Sequence, residues 1–236
     1  MHVPDGIIPL WLQLFMSGLT LVFLVLAVRT VNRKFDTKMV PYLGVLAAAI
    51  FAAQFVNFPI GNFSSGHLVG STLLAVLVGP WAAMLIMALV LFVQALYGDG
   101  GLLTYGLNFF NMGIVATLVG WSVVLLSFRL LRRVTAPRIA VITGAGVGSF
   151  ISIVAAAVVL GIELLTVPGF GTEAFTVLTL IHVVIALGEA AITVAVILYF
   201  LKAKPSIISL LDESETRDLA HEPLRRALVP EQTIRG

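Results

Sequence analysis

Long apolar runs, broken by glycine, proline and clusters of charge, make up most of the chain. A bilayer core of ~30 Å is crossed by roughly 20 apolar helical residues. On that scale the pattern predicts seven membrane helices, near residues 8–28, 40–57, 67–79, 81–97, 107–127, 139–163 and 176–201. The third and fourth runs are short and meet at Gly79-Pro80, which predicts a tight hairpin of tilted or partly buried segments. Small residues crowd the second run, and such residues let another helix approach closely in lipid. Its face of Ala48, Ala49, Ala52 and Ala53 therefore suits either docking of a partner or packing within the chain. Gly144 and Gly148 in the sixth run invite the same two readings. The pattern turns polar after Lys204, dividing the chain into a membrane domain, residues 1–204, and a polar tail, residues 205–236. Around Ile207 to Leu228 this tail could be disordered or form an amphipathic surface helix.

Composition turns this pattern into a fold class. The chain has 236 residues, 59% of them hydrophobic and 11% charged, with a mean hydropathy of +1.07. No soluble single domain needs that much apolar surface, so an all-α integral membrane protein is expected. Basic residues cluster after the first span (Arg29, Arg33, Lys34, Lys38), after the fifth (Arg129, Arg132, Arg133, Arg138) and after the seventh (Lys202, Lys204). Seven crossings put all three clusters on one face, the cytoplasm by the positive-inside rule. The N-terminus and the connections 58–66, 98–106 and 164–175 then lie outside, the C-terminus and tail inside. The net charge of +2 is loop bias toward the lipid bilayer, with no nucleic-acid footprint.

Charge and cysteine usage narrow the chemistry. With no cysteine, thiolate metal sites, disulfides and thiol nucleophiles are excluded. The opening Met1-His2-Val3-Pro4-Asp5-Gly6 lacks a signal-peptide pattern, and the large His2 disfavours removal of Met1. A free primary amine at Met1 is therefore expected. That amine, the His2 amide nitrogen and His2 Nδ1 can bind one ion in fused five- and six-membered rings. Three in-plane nitrogens plus one more suit Ni(II), and equally Cu(II). Four histidines are present: His2, His67, His182 and His221. His221 falls in the tail, on the wrong side; His67 follows the Gly- and Ser-rich connection on the Met1 side, which makes it the best fourth ligand. Taken singly, His2 suits a frayed terminus and His67 a polar helix start; together they favour a metal site spanning the chelating segment 1–7 and His67.

Several separate motifs carry a resemblance. Met1-His2-Val3-Pro4-Asp5-Gly6, Ser64-Ser65-Gly66-His67-Leu68-Val69-Gly70, Leu77-Val78-Gly79-Pro80-Trp81-Ala82, Gln94-Ala95-Leu96-Tyr97-Gly98-Asp99-Gly100-Gly101 and Asn108-Phe109-Phe110-Asn111-Met112-Gly113 follow in order. With the stretch from His182 to Glu189, they resemble the CbiM/NikM family of substrate-capture subunits in energy-coupling-factor transporters for cobalt and nickel. The resemblance implies seven helices in a prokaryotic plasma membrane and an N-terminus tucked in from outside. It implies a four-nitrogen site from Met1, His2 and His67, with Ni2+ or Co2+ as transported substrate and no catalytic cofactor. It further implies a membrane coupling subunit, two cytoplasmic ATPase subunits and a small auxiliary membrane subunit as partners. Some members carry a cleaved leader or a fused auxiliary segment; neither is recognised here, so a separate auxiliary protein is expected.

Other polar residues admit two roles. Glu189 reads as the one acid well inside a span, and His182 lies two turns away on the same helical face. The pair could serve ion transit or support the site, or could tie helices together. Asn108 and Asn111, with Gln54, Asn57 and Gln94, could orient the N-terminal segment or link helices. Asp99 lacks the remaining ligands of a calcium loop and reads as a turn residue. No phosphate loop, His-Glu-x-x-His pair or Ser/His/Asp set is present, so a transport subunit, not an enzyme, is expected. The rival reading is a self-contained secondary transporter or channel for a divalent ion, with His182 and Glu189 in its pathway.

Overall fold

A computed structural model describes residues 1–34 and 37–211. The apolar runs fold as helices: α1 (Leu10–Lys34), α2 (Val40–Gln54), α3 (Ser71–Val78), α4 (Pro80–Leu96), α5 (Tyr105–Phe109), α6 (Ala116–Leu131), α7 (Pro137–Leu164) and α8 (Thr172–Ala203). A π-helical stretch, Phe110–Val115, joins α5 to α6, so Tyr105–Leu131 forms one continuous rod. Order and positions follow the seven predicted runs. Four rods, Leu10–Arg33, Tyr105–Leu131, Pro137–Leu164 and Thr172–Ala203, are long and apolar enough to cross a membrane, which makes the chain a multi-pass all-α membrane protein. Helices α2 and α4 are shorter, and α3 has only 8 residues, roughly 12 Å of rise. Alone, α3 reaches less than halfway through a bilayer core.

Helix α7 lies between α6 and α8, α3 packs on α4, α6 and α7, and α1 packs on α4 and α5. The close approach of α6 to α7 rests on Gly144 and Gly148. A Cβ at Gly148 would stand 2.5 Å from Val124 Cγ2, and one at Gly144 would stand 3.1 Å from the Val124 carbonyl. This glycine pair serves internal packing. On α2, Ala48, Ala49 and Ala52 are exposed and Ala53 is partly buried, lining a small hollow with Gln54 and Glu189.

Two features depart from the sequence reading. The connection before His67 is a short antiparallel hairpin, β1 (Phe58–Ile60) against β2 (Ser64–Gly66), with Phe58 opposite Gly66. The first residues of the predicted tail are also packed: Ile208 is buried, and Ser209 N donates to the Val76 carbonyl at 3.0 Å, fixing residues 205–211 to the end of α3. The rest of the tail, including His221 and the candidate surface helix beyond residue 211, lies outside the described residues.

One end of the bundle collects the N-terminal segment, the hairpin and the connections 97–104 and 165–171. Val3 and Asp5 bond to residues 101–104, Met1 and His2 to Ser65, and Phe63 meets Phe170 edge-on at 5.3 Å. The connections 132–136 and 204–208 lie at the far ends of the same helices and carry Arg132, Arg133 and Lys204.

Candidate functional site

The N-terminal segment is inserted into this end of the bundle, and the first three residues are buried, Met1 completely. Its course is set by a backbone clamp. Asn108 Oδ1 accepts from Val3 N at 2.9 Å, while Asn108 Nδ2 and Thr104 Oγ1 donate to the Val3 carbonyl at 3.0 and 2.7 Å. Two residues on, the Asp5 carboxylate accepts from the amides of Leu102, Leu103 and Thr104 at 2.9–3.1 Å. These are the free amides just ahead of α5, where an acidic side chain also meets the positive end of the helix dipole. Gly101 is required here, because a Cβ would fall 1.8 Å from Asp5 Oδ1.

This clamp delivers His2 to His67. Their imidazoles stack with centroids 4.5 Å apart and planes inclined by 20°. His67 Nδ1 donates to the Leu68 carbonyl at 2.7 Å, which leaves Nε2 as a bare lone pair, buried and without a hydrogen-bond partner. His2 Nε2 donates to Gln94 Oε1 at 3.2 Å, which likewise leaves its lone pair on Nδ1. That atom stands 3.2 Å from Asp99 Oδ1, within ion-pair reach but outside hydrogen-bonding geometry. The Met1 amine donates to the Ser65 carbonyl and lies 3.4 Å from Ser65 Oγ, the atom that accepts from His2 N at 3.2 Å. Amine and amide nitrogen thus converge on one point.

Burial keeps the amine and the two imidazoles uncharged. It lowers the Met1 amine to about 4, against the opposing pull of the Asp99 carboxylate. Burial also lowers His2, although Asp99 and Gln94 oppose it. His67 is held well below the usual histidine range by burial, then by the neighbouring amine and His2. Four uncharged nitrogen centres therefore gather in a space that admits few other groups.

The remaining predicted residues fall into distinct places. Glu189 accepts from Val69 N at 2.6 Å and Gly70 N at 2.9 Å, meeting the positive start of α3 two residues after His67. Gln54 Nε2 donates to the Val69 carbonyl at 2.6 Å, so both sides of that residue are held. His182 donates from Nδ1 to the Leu178 carbonyl at 2.7 Å, and its buried Nε2 has no hydrogen-bond partner. Asn111 does not reach the N-terminal segment; its Nδ2 donates at 2.6 Å to Glu163, linking the π-helical stretch to α7. Glu163 is a second buried acid, but it stands one residue from the end of α7, whereas Glu189 lies in the middle of α8. Sequence reading also missed Asp5 and the placement of Asp99 beside His2. The signal for Asp5 was an acid a few residues from a predicted helix, but its target is nearly a hundred residues away. The signal for Asp99 was an acid in a turn on the same predicted side as Met1.

Comparison with known proteins gives the chain a family. Residues 2–207 match the family described as CbiM, the cobalt uptake substrate-specific transmembrane region. A protein of Archaeoglobus fulgidus provisionally named as the fused nickel transport protein NikMN is 36% identical over 216 residues, covering 88% of this chain and 68% of that one. The cobalt transport protein CbiM of Sorangium cellulosum is 34% identical over 137 residues, 56% of this chain and 59% of that one. A crystal structure of a transition metal transporter superposes with a TM-score of 0.80 at 30% identity, covering 95% of this chain and all of the other. The chain, with its seven apolar runs and its buried N-terminal segment, belongs to the CbiM family of membrane components for cobalt and nickel transport.

Proposed function

We propose that this protein is the substrate-capture subunit of an ATP-driven importer and takes up Ni2+ or Co2+ through four nitrogens: the Met1 amine, the His2 amide, His2 Nδ1 and His67 Nε2. The observation that carries this reading is the delivery of His2 onto His67 by the buried N-terminal segment, with both imidazoles tautomerically fixed so that the two required lone pairs are bare. An amine already without its proton supports it, since metal ligands must be deprotonated to bind. Binding releases the His2 amide proton to water and replaces the contacts to Ser65. The stacked imidazoles cannot both direct their lone pairs at one ion, so one ring turns as the ion enters the nitrogen plane. Planar nitrogen geometry favours Ni(II).

In this reading the end holding the N-terminal segment faces outward and the Arg- and Lys-bearing connections face the cytoplasm. Residues 1–204 form the capture domain. No phosphate-binding loop is present in the sequence, so energy comes from two cytoplasmic ATPase subunits through a membrane coupling subunit, with a small auxiliary membrane protein. The exposed Ala48, Ala49 and Ala52 offer these partners a close-packing face.

Calorimetry with competing chelators tests the site. One tight equivalent of Ni2+ or Co2+ is expected with the native terminus, and at least a hundredfold weaker binding after His2→Ala, His67→Ala or a short N-terminal extension. Tight binding retained by all three would sink the assignment. It would shift attention to His182, because both Glu189 oxygens are already engaged by backbone amides.

A further inference from the structure

A polar vestibule of about 280 Å3 opens beside His2, between the hairpin and the 98–100 turn. Its lining includes Asn57, Asn62, Ser64, Ser65 and Asp99, and Asp99 is the only carboxylate among the lining residues. No lysine or arginine lines it to neutralise that charge. The Asp99 side chain is 31% exposed while His2 is 3% exposed, so the carboxylate lies between the open vestibule and the buried imidazole. Asn57 Nδ2 donates to Asp99 Oδ1 at 2.8 Å, and Asp99 N donates to the Gln94 carbonyl at 3.0 Å. Gln94 thereby fixes both members of the pair, since its side chain also accepts from His2 Nε2. Gly98 and Gly100 flank the acid with φ near +81° and +87°, a turn that side-chain-bearing residues rarely adopt. The acid is held in place.

The contact with His2 calls for a cation. With the His2 proton committed to Gln94, Nδ1 presents a lone pair to a carboxylate oxygen 3.2 Å away, and two acceptors face each other. A divalent ion bridging them removes that repulsion. The vestibule also fits the ion as it arrives: at ~30 Å3 per water, a six-water shell and its ion take up roughly 200 Å3.

Building on the four-nitrogen reading above, we propose that Asp99 is the first ligand of the incoming divalent cation, an oxygen station in the vestibule from which the ion passes to His2 Nδ1 and the other nitrogens. The oxygen ligand exchanges with water readily and holds the ion while the slower nitrogen plane assembles. A lone carboxylate in a low-dielectric recess also raises the local cation concentration and the association rate, by tenfold or more in favourable clefts.

The test is stopped-flow association of the aqua Ni2+ ion with the full chain, native at its N-terminus and held in lipid nanodiscs, at low and high salt. Asp99→Asn is expected to slow association at low salt about tenfold or more and to flatten its salt dependence, with dissociation changed less than about threefold; Asp99→Glu is expected to recover most of the rate. Should Asp99→Asn not be recovered folded, Asp99→Ser is expected to give the same loss. Association within twofold of the unsubstituted protein, or a loss confined to dissociation, overturns the proposal and leaves Asp99 a positioning residue for His2. If the unsubstituted protein itself takes up no Ni2+ at one equivalent, the four-nitrogen reading fails first, and this inference with it.

Discussion

An α-amine inside a protein is a titration problem before it is a ligand. The Met1 amine falls from 8.0 to about 4 on burial, so the released terminus binds a proton that the docked one does not, throughout that interval. Docking therefore gains stability as pH rises and is complete above about 8. Each unit below that costs about 1.4 kcal/mol, until the segment is released or pH reaches about 4. His2 and His67, both lowered, add to the loss below the ordinary histidine range. The expected result is that an amine-acylating reagent modifies Met1 slowly at pH 8 but that the protection of amides 101–104 against hydrogen exchange, corrected for the pH dependence of intrinsic exchange, falls steadily from pH 7 to pH 5. Protection independent of pH over that range would place the amine in a more hydrated setting than its burial indicates.

Individual helices depend on side chains borrowed from distant elements. Helix α3 starts without a side-chain cap of its own, and Glu189 from α8 supplies two charge-assisted acceptors to the amides at its start. Glu189→Gln is expected to weaken both bonds, lower thermal stability by about 1–3 kcal/mol and loosen metal binding through displacement of His67, while His2 stays docked. Calorimetry on the purified variant checks this, with exchange of Val69 and Gly70 amides as the local reporter. The long helices were legible because their apolar runs are bounded by Gly, Pro and Arg. The hairpin was not: three-residue strands of Phe-Pro-Ile and Ser-Ser-Gly show no usable alternation. The π-helical stretch left no compositional mark either, as it sits inside a continuous apolar run. At the site, His2 and His67 were legible because histidine is scarce in this chain, whereas the engagement of Asn108 and not Asn111 depends on helical phase, with Asn111 turned toward Glu163.

At the scale of the molecule, the sidedness of the bundle is the property that transport depends on. The absence of cysteine makes it directly measurable. Asn62→Cys, in the exposed hairpin turn, is expected to react with an impermeant maleimide in intact cells, and Arg133→Cys only after permeabilisation; the reverse pattern would invert the proposed orientation. Helix α8 bears on this through its length, 32 residues or about 48 Å, which carries it from the end that holds the N-terminal segment to the connection bearing Lys204. One face, Leu178, His182, Ala186, Glu189, Thr193, Ile197 and Leu201, is buried over most of that distance. Glu189 grips the backbone at Val69 and Gly70, two and three residues from His67, so α8 is tied to the short segment that carries the imidazole. In the proposed orientation and with the proposed site, a partner that pushes or twists the cytoplasmic end of this rod would act on the grip around the cargo, as a hand at one end of a lever acts on a latch at the other.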